Sequence, residues 1–254
     1  MLEIREARRS FGGVYAVDGV SLRIEPGQVH AVIGPNGAGK STLFNLVIGQ
    51  IPLQTGEIHY KNQRIDKTAP HKRAKDGIAI VFQGARVFKG MTVLENVMVG
   101  AHPWTKHGMW DAALRLPGHK REEKEIASQA MDALERVGLL EFSDADAGSV
   151  PLGHQRRLQV ARALCSRPDL LLLDEPASGL RVEERRVLAE LIEELHGQGI
   201  AVMLVEHDVA FVSRLADTMT VLDLGRVIAS GPPAEVFKDP RVIAAYIGEV
   251  ATSD

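Results

Sequence analysis

Residues 34–41 read Gly-Pro-Asn-Gly-Ala-Gly-Lys-Ser, and this GxxxxGK[ST] pattern constrains the fold more than any other feature of the chain. It directly follows the apolar run Val29–Ile33 and directly precedes a helical pattern over Thr42–Ile48. A glycine-rich turn in this place lets backbone N–H groups point at a phosphate, and the helix start adds the positive end of its dipole. The placement favours a phosphate loop over a chance glycine turn, and it predicts an α/β sheet around the loop.

The residue types in the loop suit a nucleoside triphosphate with its magnesium ion. Lys40 is placed to reach the β- and γ-phosphates and is a predicted catalytic residue, while the Ser41 hydroxyl is a predicted Mg²⁺ ligand. The predicted nucleotide contacts in this segment are Gly34, Asn36, Gly37, Ala38, Gly39, Lys40, Ser41 and Thr42.

A second motif consists of four leucines, Leu170–Leu173, followed by Asp174 and Glu175. The leucines predict a buried strand, and ligands of open parallel sheets bind at the carboxyl ends of such strands. Asp174 is a predicted member of the Mg²⁺ site through its bound water, and Glu175 is predicted to polarise a water for attack on the γ-phosphate. An acidic pair after a strand is also an ordinary capping feature, but the phosphate loop upstream favours the catalytic interpretation.

Strand and helix patterns alternate along most of the chain, which is typical of an α/β fold with a mostly parallel sheet. Continuous apolar runs predict strands that are covered on both faces, at Val29–Ile33, Ile78–Phe82, Leu170–Leu173 and Ile200–Val205. Helical patterns cover Thr42–Ile48, Glu122–Val137, Gln155–Leu164 and Glu183–Leu195. An N-terminal antiparallel part is predicted from Leu2–Ile4, Val20–Ile24 and Glu57–Tyr60. Residues 91–149 break the alternation and predict a mostly helical insertion.

Composition excludes several classes of protein. The formal charge of −3 provides no general basic field for nucleic acid. The single cysteine, Cys165, excludes a disulfide framework, and we interpret it as a small core residue. No apolar run approaches the roughly 20 residues that cross a bilayer. The basic runs His71–Lys75 and Arg185–Arg186 are interpreted as solvated faces.

With these motifs in place, the chain resembles the ATP-binding subunits of ABC transporters over nearly its whole length. The resemblance implies that Gln83 is the Q-loop glutamine that senses Mg²⁺, that His207 is the switch histidine at the γ-phosphate, and that Phe11 stacks on adenine. Residues 177–180 then correspond to the D-loop. Each of the three side chains also has an ordinary interpretation: a solvated glutamine, a structural histidine, and a core phenylalanine with Tyr15 as the stacking residue. The family's architecture implies an ATPase core over residues 1–90 and 150–254 and a helical subdomain over 91–149, with the signature helix continuing from 150 to about 165.

One segment departs from the family pattern. The signature LSGGQ, which completes the ATP site of the opposite subunit, corresponds here to Val150, Pro151, Leu152, Gly153 and His154. Pro151 replaces the serine and offers neither a hydroxyl nor an N–H group. Losing a hydrogen bond to a charged phosphate costs about 1.5–3 kcal/mol, which corresponds to a rate roughly 10- to 150-fold lower. His154 is a candidate replacement donor. A homodimer would carry the defect in both sites and a heterodimer in one.

Within the family the chain resembles the ATP-binding subunits of bacterial branched-chain amino acid importers. The resemblance is carried by the opening of the chain, the insertion Ala101–Glu125 and the ending Asp239–Glu249. It implies transmembrane permease subunits, a second and different ATPase, an extracellular or periplasmic solute-binding protein, and a peripheral location on the cytoplasmic side of the bacterial cell membrane. Two other functions stay open: a nucleotide-gated module with little hydrolysis, and a non-transport ABC ATPase. A simple nucleotide kinase is disfavoured because of the helical insertion.

Overall fold

The computed structural model describes residues 1–84, 86–105 and 117–251, and two β-sheets organise them. The first sheet has the order β2-β1-β4-β5, its paired strands running antiparallel, with strands β1 Leu2–Phe11, β2 Val14–Ile24, β4 Thr55–Tyr60 and β5 Gln63–Arg64. The second has the order β10-β9-β3-β8-β7-β6, with strands β3 Val29–Ile33, β6 Ile78–Val81, β7 Leu170–Asp174, β8 Ala201–Val205, β9 Thr218–Asp223 and β10 Arg226–Gly231. Its strands pair in parallel except for the antiparallel pair β9 and β10.

The parallel strands are buried on both faces, as their continuous apolar runs predict. Alternate residues of β7 and β8 enter two different cores, because successive side chains of a strand point to opposite faces. One core lies under the helices between Val93 and Leu215 and contains Leu171, Leu173, Val202 and Leu204. The other lies against the helix Lys40–Ile48 and the antiparallel sheet and contains Leu170, Leu172, Ala201 and Met203.

Helices lie between the strands as predicted, with small differences at their ends. Their bounds are α1 Lys40–Ile48, α2 Pro70–Lys75, α3 Val93–Met98, α4 Pro117–Arg136, α5 Leu152–Leu164, α6 Val182–Gly197, α7 Val209–Leu215, α8 Pro233–Val236 and α9 Pro240–Ala251. Between β6 and β7 the described residues form helices and turns without a named strand. Residues 106–116 of the insertion Ala101–Glu125 lie outside the described residues. The domain boundaries at 90 and 150 stay a prediction.

The antiparallel strands are longer than their predicted apolar segments. Strand β1 extends to Phe11 through polar residues, and its register against β2 shifts between Ile4 and Ala7, where Glu6 adopts φ 46°. The second half of β1 was not predicted, because the register shift interrupts the pattern in which successive side chains point to opposite faces of the sheet. No helix in the described part of the chain combines the length and apolar character that a membrane crossing requires.

The interpretation of the basic runs as solvated faces is wrong for Arg73, whereas the Arg185 side chain is 41% exposed. Arg73 is 2% exposed and donates to the carbonyls of Leu46 (2.9 Å) and Val47 (2.6 Å), in the last turn of α1. A cation is favourable there because the carboxyl end of a helix carries partial negative charge. Arg185 donates to the Leu180 carbonyl (3.1 Å) and to Asp208 (2.8 Å). Cys165 is buried, as predicted.

A buried histidine in β3 gives the fold a pH dependence. Both ring nitrogens of His30 lie 2.9 Å from threonine hydroxyls of β9, Nδ1 from Thr218 and Nε2 from Thr220. Burial lowers the pKa of His30 to about 4 from its ordinary value of 6.5. As pH falls below 6.5, His30 therefore becomes protonated in the unfolded chain and stays neutral in the folded one. The free energy of unfolding is then lower by about 3 kcal/mol at pH 4.

We therefore expect His30→Gln to flatten the pH dependence of stability between pH 6.5 and 4.5. The measurement is the free energy of unfolding in urea at several pH values, with His71→Gln, a change at an exposed histidine of α2, as the matched control. A His30→Gln variant that loses as much stability as the wild type over this range would contradict the assignment.

Candidate functional site

The phosphate loop connects β3 to α1, and close backbone approaches explain two of its glycines. A Cβ atom on Gly39, where φ is 104°, would lie 2.2 Å from the Ala16 carbonyl oxygen. A Cβ atom on Gly34 would lie 2.1 Å from the Leu222 carbonyl oxygen. Both distances exclude any side chain without backbone movement, so the glycine pattern is required by the packing of the loop as well as by phosphate.

A cavity of about 180 Å³ opens over this loop. Its lining consists of Ala16, Asn36, Gly37, Ala38, Gly39, Lys40, Ser41, Thr42 and Glu175. A larger groove of about 470 Å³ lies on the helical side, where Glu125 and Arg167 contribute to its walls. We assign the phosphates to the smaller cavity because it joins the loop N–H groups, Lys40 and the acidic residue Glu175.

Lys40 is 7% exposed and its ammonium group bonds carbonyls of its own loop. Nζ donates to the Gly34 oxygen at 2.6 Å and to the Pro35 oxygen at 2.9 Å. Ser41, the next residue, is exposed at the start of α1. A bound phosphate would compete with the two carbonyls for the Lys40 ammonium, which is a charge-assisted donor.

The two acidic residues after β7 occupy different environments. Burial, followed by the charges of Glu175 and Glu206, raises the pKa of Asp174 to about 6, and only Lys40 opposes this rise. The Arg156 guanidinium acts on Glu206 and Glu175, and a divalent cation beside Asp174 would add positive charge there. The oxygen donors of Asp174, Ser41 and Gln83 fit Mg²⁺. Among the described residues no three His, Cys, Asp or Glu side chains form a metal cluster, so phosphate and water would complete the coordination.

The structure brings Gln83, Glu175 and His207 together from three different strand ends. Gln83 Nε2 donates to Glu175 Oε2 at 2.6 Å, and His207 Nδ1 lies 3.9 Å from the same oxygen. The His207 side chain is 60% exposed and is therefore accessible from solvent. The residues whose roles came from the family resemblance thus share one site, and their catalytic roles stay predictions.

Phe11 lies at the end of β1 and is 46% exposed, so the interpretation as a core residue is wrong. The Arg9 guanidinium lies 4.8 Å from its ring centroid. Tyr15 is similarly exposed and immediately precedes Ala16, which lines the cavity. Both rings are therefore available to stack on a base, and Phe11 keeps its predicted role.

Known proteins resemble the chain over nearly its full length. The family described as "ABC transporter" matches residues 17–178, and the family described as "Branched-chain amino acid ATP-binding cassette transporter" matches residues 226–252. The chain belongs to the ABC transporter ATP-binding family. It is therefore a nucleotide-binding ATPase.

Three relatives illustrate the likeness. The chain is 37% identical to the high-affinity branched-chain amino acid transport ATP-binding protein LivG of Escherichia coli (strain K12), over 98% of each chain. It is 39% identical to the corresponding protein BraF of Pseudomonas aeruginosa, also over 98% of each. The crystal structure of the ADP conformation of MJ1267, an ATP-binding cassette of an ABC transporter, aligns with a TM-score of 0.86 at 30% identity, covering 98% of this chain and 99% of that one.

The helix of the signature segment of this ABC ATPase begins between the two predicted starts, residue 150 and Gln155. Helix α5 runs from Leu152 to Leu164, and Pro151 is its N-cap, with φ −55° and ψ 156°. The cap makes no side-chain hydrogen bond, whereas a serine there would accept one from the first turn. The first-turn N–H groups therefore lack the cap that the family's serine would supply.

Gly153 and His154 follow the cap in tightly packed positions. A Cβ atom on Gly153 would lie 2.2 Å from Glu184 Oε1 of helix α6. The His154 ring packs against Phe142 with its centroid 4.7 Å away, and its Nδ1 is buried without a hydrogen-bond partner. Burial also lowers the pKa of His154. This ring orientation serves packing and does not support His154 as the replacement donor.

Two residues at the site were missed by the sequence reasoning. Ala16 lines the cavity through a backbone that β2 brings beside the loop, and no side-chain chemistry marks it. Glu206 is 1% exposed and lies next to His207. The only available signal was a charged residue directly after the buried run of β8.

Proposed function

We propose that this ABC ATPase powers the import of branched-chain amino acids. The observation that carries the proposal is the full-length likeness to LivG and BraF, together with the match of residues 226–252 to a branched-chain amino acid cassette family. Both relatives are transport ATP-binding proteins, which makes transport a better proposal than a non-transport ABC function. ATP is the proposed substrate and Mg²⁺ the proposed cofactor.

The residues would divide the work of hydrolysis as follows. The N–H groups of the loop hold the phosphates, and Lys40 exchanges the carbonyls of Gly34 and Pro35 for phosphate oxygens. Glu175 accepts a proton from the attacking water, and Oε1 is the carboxylate oxygen that does not bond Gln83. His207 contacts the γ-phosphate. Ser41, Gln83 and Asp174 would hold Mg²⁺, which would supply positive charge against the phosphates.

The proposed assembly contains two membrane permease subunits, a second ATPase and a solute-binding protein on the outer side. This chain would lie against the cytoplasmic face of the bacterial cell membrane. ATP bound between the two ATPases favours the closed state because it contacts both of them only there. The helical region beyond Gln83 would transmit closure to the permease. A heterodimer fits Pro151 better than a homodimer, because only one of its two sites would be impaired.

A second candidate function is a nucleotide-gated module that closes on ATP with little hydrolysis. The observation that favours it is the proline cap of α5, which provides no side-chain hydrogen bond. The ATP turnover of the wild type and of Pro151→Ser separates the two candidates.

Uptake of labelled leucine tests the proposed transport function. Cells that lack this gene should lose ATP-dependent leucine uptake, and the wild-type gene, but not Lys40→Ala, should restore it. Uptake of labelled glucose serves as the control for cell energy status. Unchanged leucine uptake in the deleted cells would refute the branched-chain proposal. If the deleted cells instead lose urea or amide uptake, the proposed solute is wrong and the proposed transport function stands.

A further inference from the structure

Glu206 is a buried carboxylate that accepts hydrogen bonds from backbone groups of two functional segments. Its side chain is 1% exposed. Oε1 accepts from the Ala177 N–H at 2.9 Å, and Oε2 accepts from the His207 N–H at 3.1 Å. A buried carboxylate is unfavourable unless its oxygens are satisfied. Here one oxygen accepts from the D-loop and the other from the loop that carries His207, so the carboxylate links the two loops.

The D-loop contact lies two residues beyond a strained point of the backbone. Glu175 adopts φ 45°, a left-handed conformation that is unfavourable for a residue other than glycine. Such strain persists only where surrounding contacts fix it. The Glu175 N–H donates to the Val205 oxygen at 2.8 Å, and the Ser178 N–H donates to the Glu175 oxygen at 3.2 Å. The bond from Ala177 to Glu206 adds a side-chain contact to this turn.

The position of Glu206 directly after β8 explains how one residue reaches both segments. Strands β7 and β8 are parallel neighbours, and Asp174 pairs with Val205 in their register. Their carboxyl ends therefore lie side by side, with Glu175 leaving one strand and Glu206 leaving the other. The Glu206 side chain spans this gap, and its own backbone carries His207.

We propose that Glu206 is a positioning residue for ATP hydrolysis, which holds the turn that presents Glu175 and the loop that presents His207 in one fixed arrangement. The proposal rests on the proposed role of Glu175 as the base. Glu206 itself does not reach the reacting atoms as a base, because its oxygens are occupied by backbone N–H groups and its side chain is buried. Its effect is on geometry, so it should appear in the rate of the chemical step.

The test is Glu206→Gln in the full chain. Glutamine has the same shape as glutamate, but its NH2 group would face one of the two backbone N–H donors. An NH2 group cannot accept that hydrogen bond, so one of the two loops loses its bond to residue 206. We expect kcat to fall about 10- to 100-fold, as for a small misplacement of reacting groups. The KM for ATP should stay close to the wild-type value, because the phosphate loop is untouched. The change leaves one buried N–H donor without an acceptor, so the melting temperature is measured beside kcat, and the assay is run where both proteins are folded.

Two further variants sharpen the result. Glu190→Gln makes the same chemical change on the outer face of α6, where Glu190 pairs with Arg186, and it should leave kcat unchanged. Glu206→Asp keeps the charge but shortens the side chain, so it should not reach both loops and kcat should fall as well. Wild-type turnover in Glu206→Asp would overturn the geometric role in favour of a role for charge alone.

The outcomes also separate this inference from the proposed base. Wild-type kcat in Glu206→Gln overturns the inference, and so does a variant that fails to fold, since Glu206 is then a structural residue. A raised KM with unchanged kcat overturns it too. Glu175→Gln is assayed in parallel: if that variant keeps its turnover, the base assignment itself fails. If Glu175→Gln is inactive while Glu206→Gln matches the wild type, only the present inference fails.

Discussion

Glu175→Gln should abolish ATP turnover and leave ATP binding intact. Glutamine has no basic oxygen to accept a proton from water, and removal of a general base costs about 10²- to 10⁴-fold in rate. Its carbonyl oxygen can still accept the bond that Gln83 donates to Glu175 at 2.6 Å, so the site keeps its arrangement. The substitution changes the lining of the phosphate cavity only by removing the negative charge of Glu175.

The measurement combines steady-state phosphate release with gel filtration in the presence of ATP. We expect the variant to accumulate as an ATP-bound dimer, because the closed dimer does not reopen when ATP is not hydrolysed. Glu183→Gln, at an exposed acidic residue on α6 that pairs with Arg186, is the matched control and should behave as the wild type. Phosphate release at the wild-type rate in Glu175→Gln would assign the base to another group.

Pro151→Ser should raise ATP turnover, by roughly 10- to 150-fold if the missing hydroxyl limits the reaction. The serine would cap α5, where the proline makes no side-chain hydrogen bond, and would stabilise the helix start by about 1 kcal/mol. In the closed dimer the same hydroxyl would donate to the γ-phosphate held by the opposite subunit. Pro26→Ser is the control, because Pro26 is exposed in the turn at the far end of β3.

Three outcomes of the Pro151→Ser experiment have different meanings. A large gain identifies the signature as the limiting defect and implies that the natural partner supplies a better one. An active wild type with little gain shows that Pro151 is tolerated and that a symmetric pair works. If both proteins bind ATP without turnover, the chain requires its membrane partners or is the nucleotide-gated module. Reconstitution with the permease separates those last two cases.

The motifs were predictable because their chemistry is local in the chain. A phosphate loop needs its glycines, Lys40 and Ser41 at fixed spacing between a strand and a helix, and the sequence contains all of them in order. The parallel sheet was predictable because strands covered on both faces must be apolar throughout. Positions whose role depends on distant partners were not. Arg73 carried no signal that it would reach the end of α1, and a basic run usually marks a solvated face.

The sequence by itself determined the phosphate loop, the acidic pair after β7 and the alternation of strands and helices, since each depends on neighbouring residues. Only the tertiary structure decided that Gln83, Glu175 and His207 share one site, because parallel strands far apart in sequence end at one edge of the sheet. It also decided that Glu206 joins two loops and that the His154 ring lies on Phe142. These contacts depend on packing between elements, which spacing along the chain does not encode.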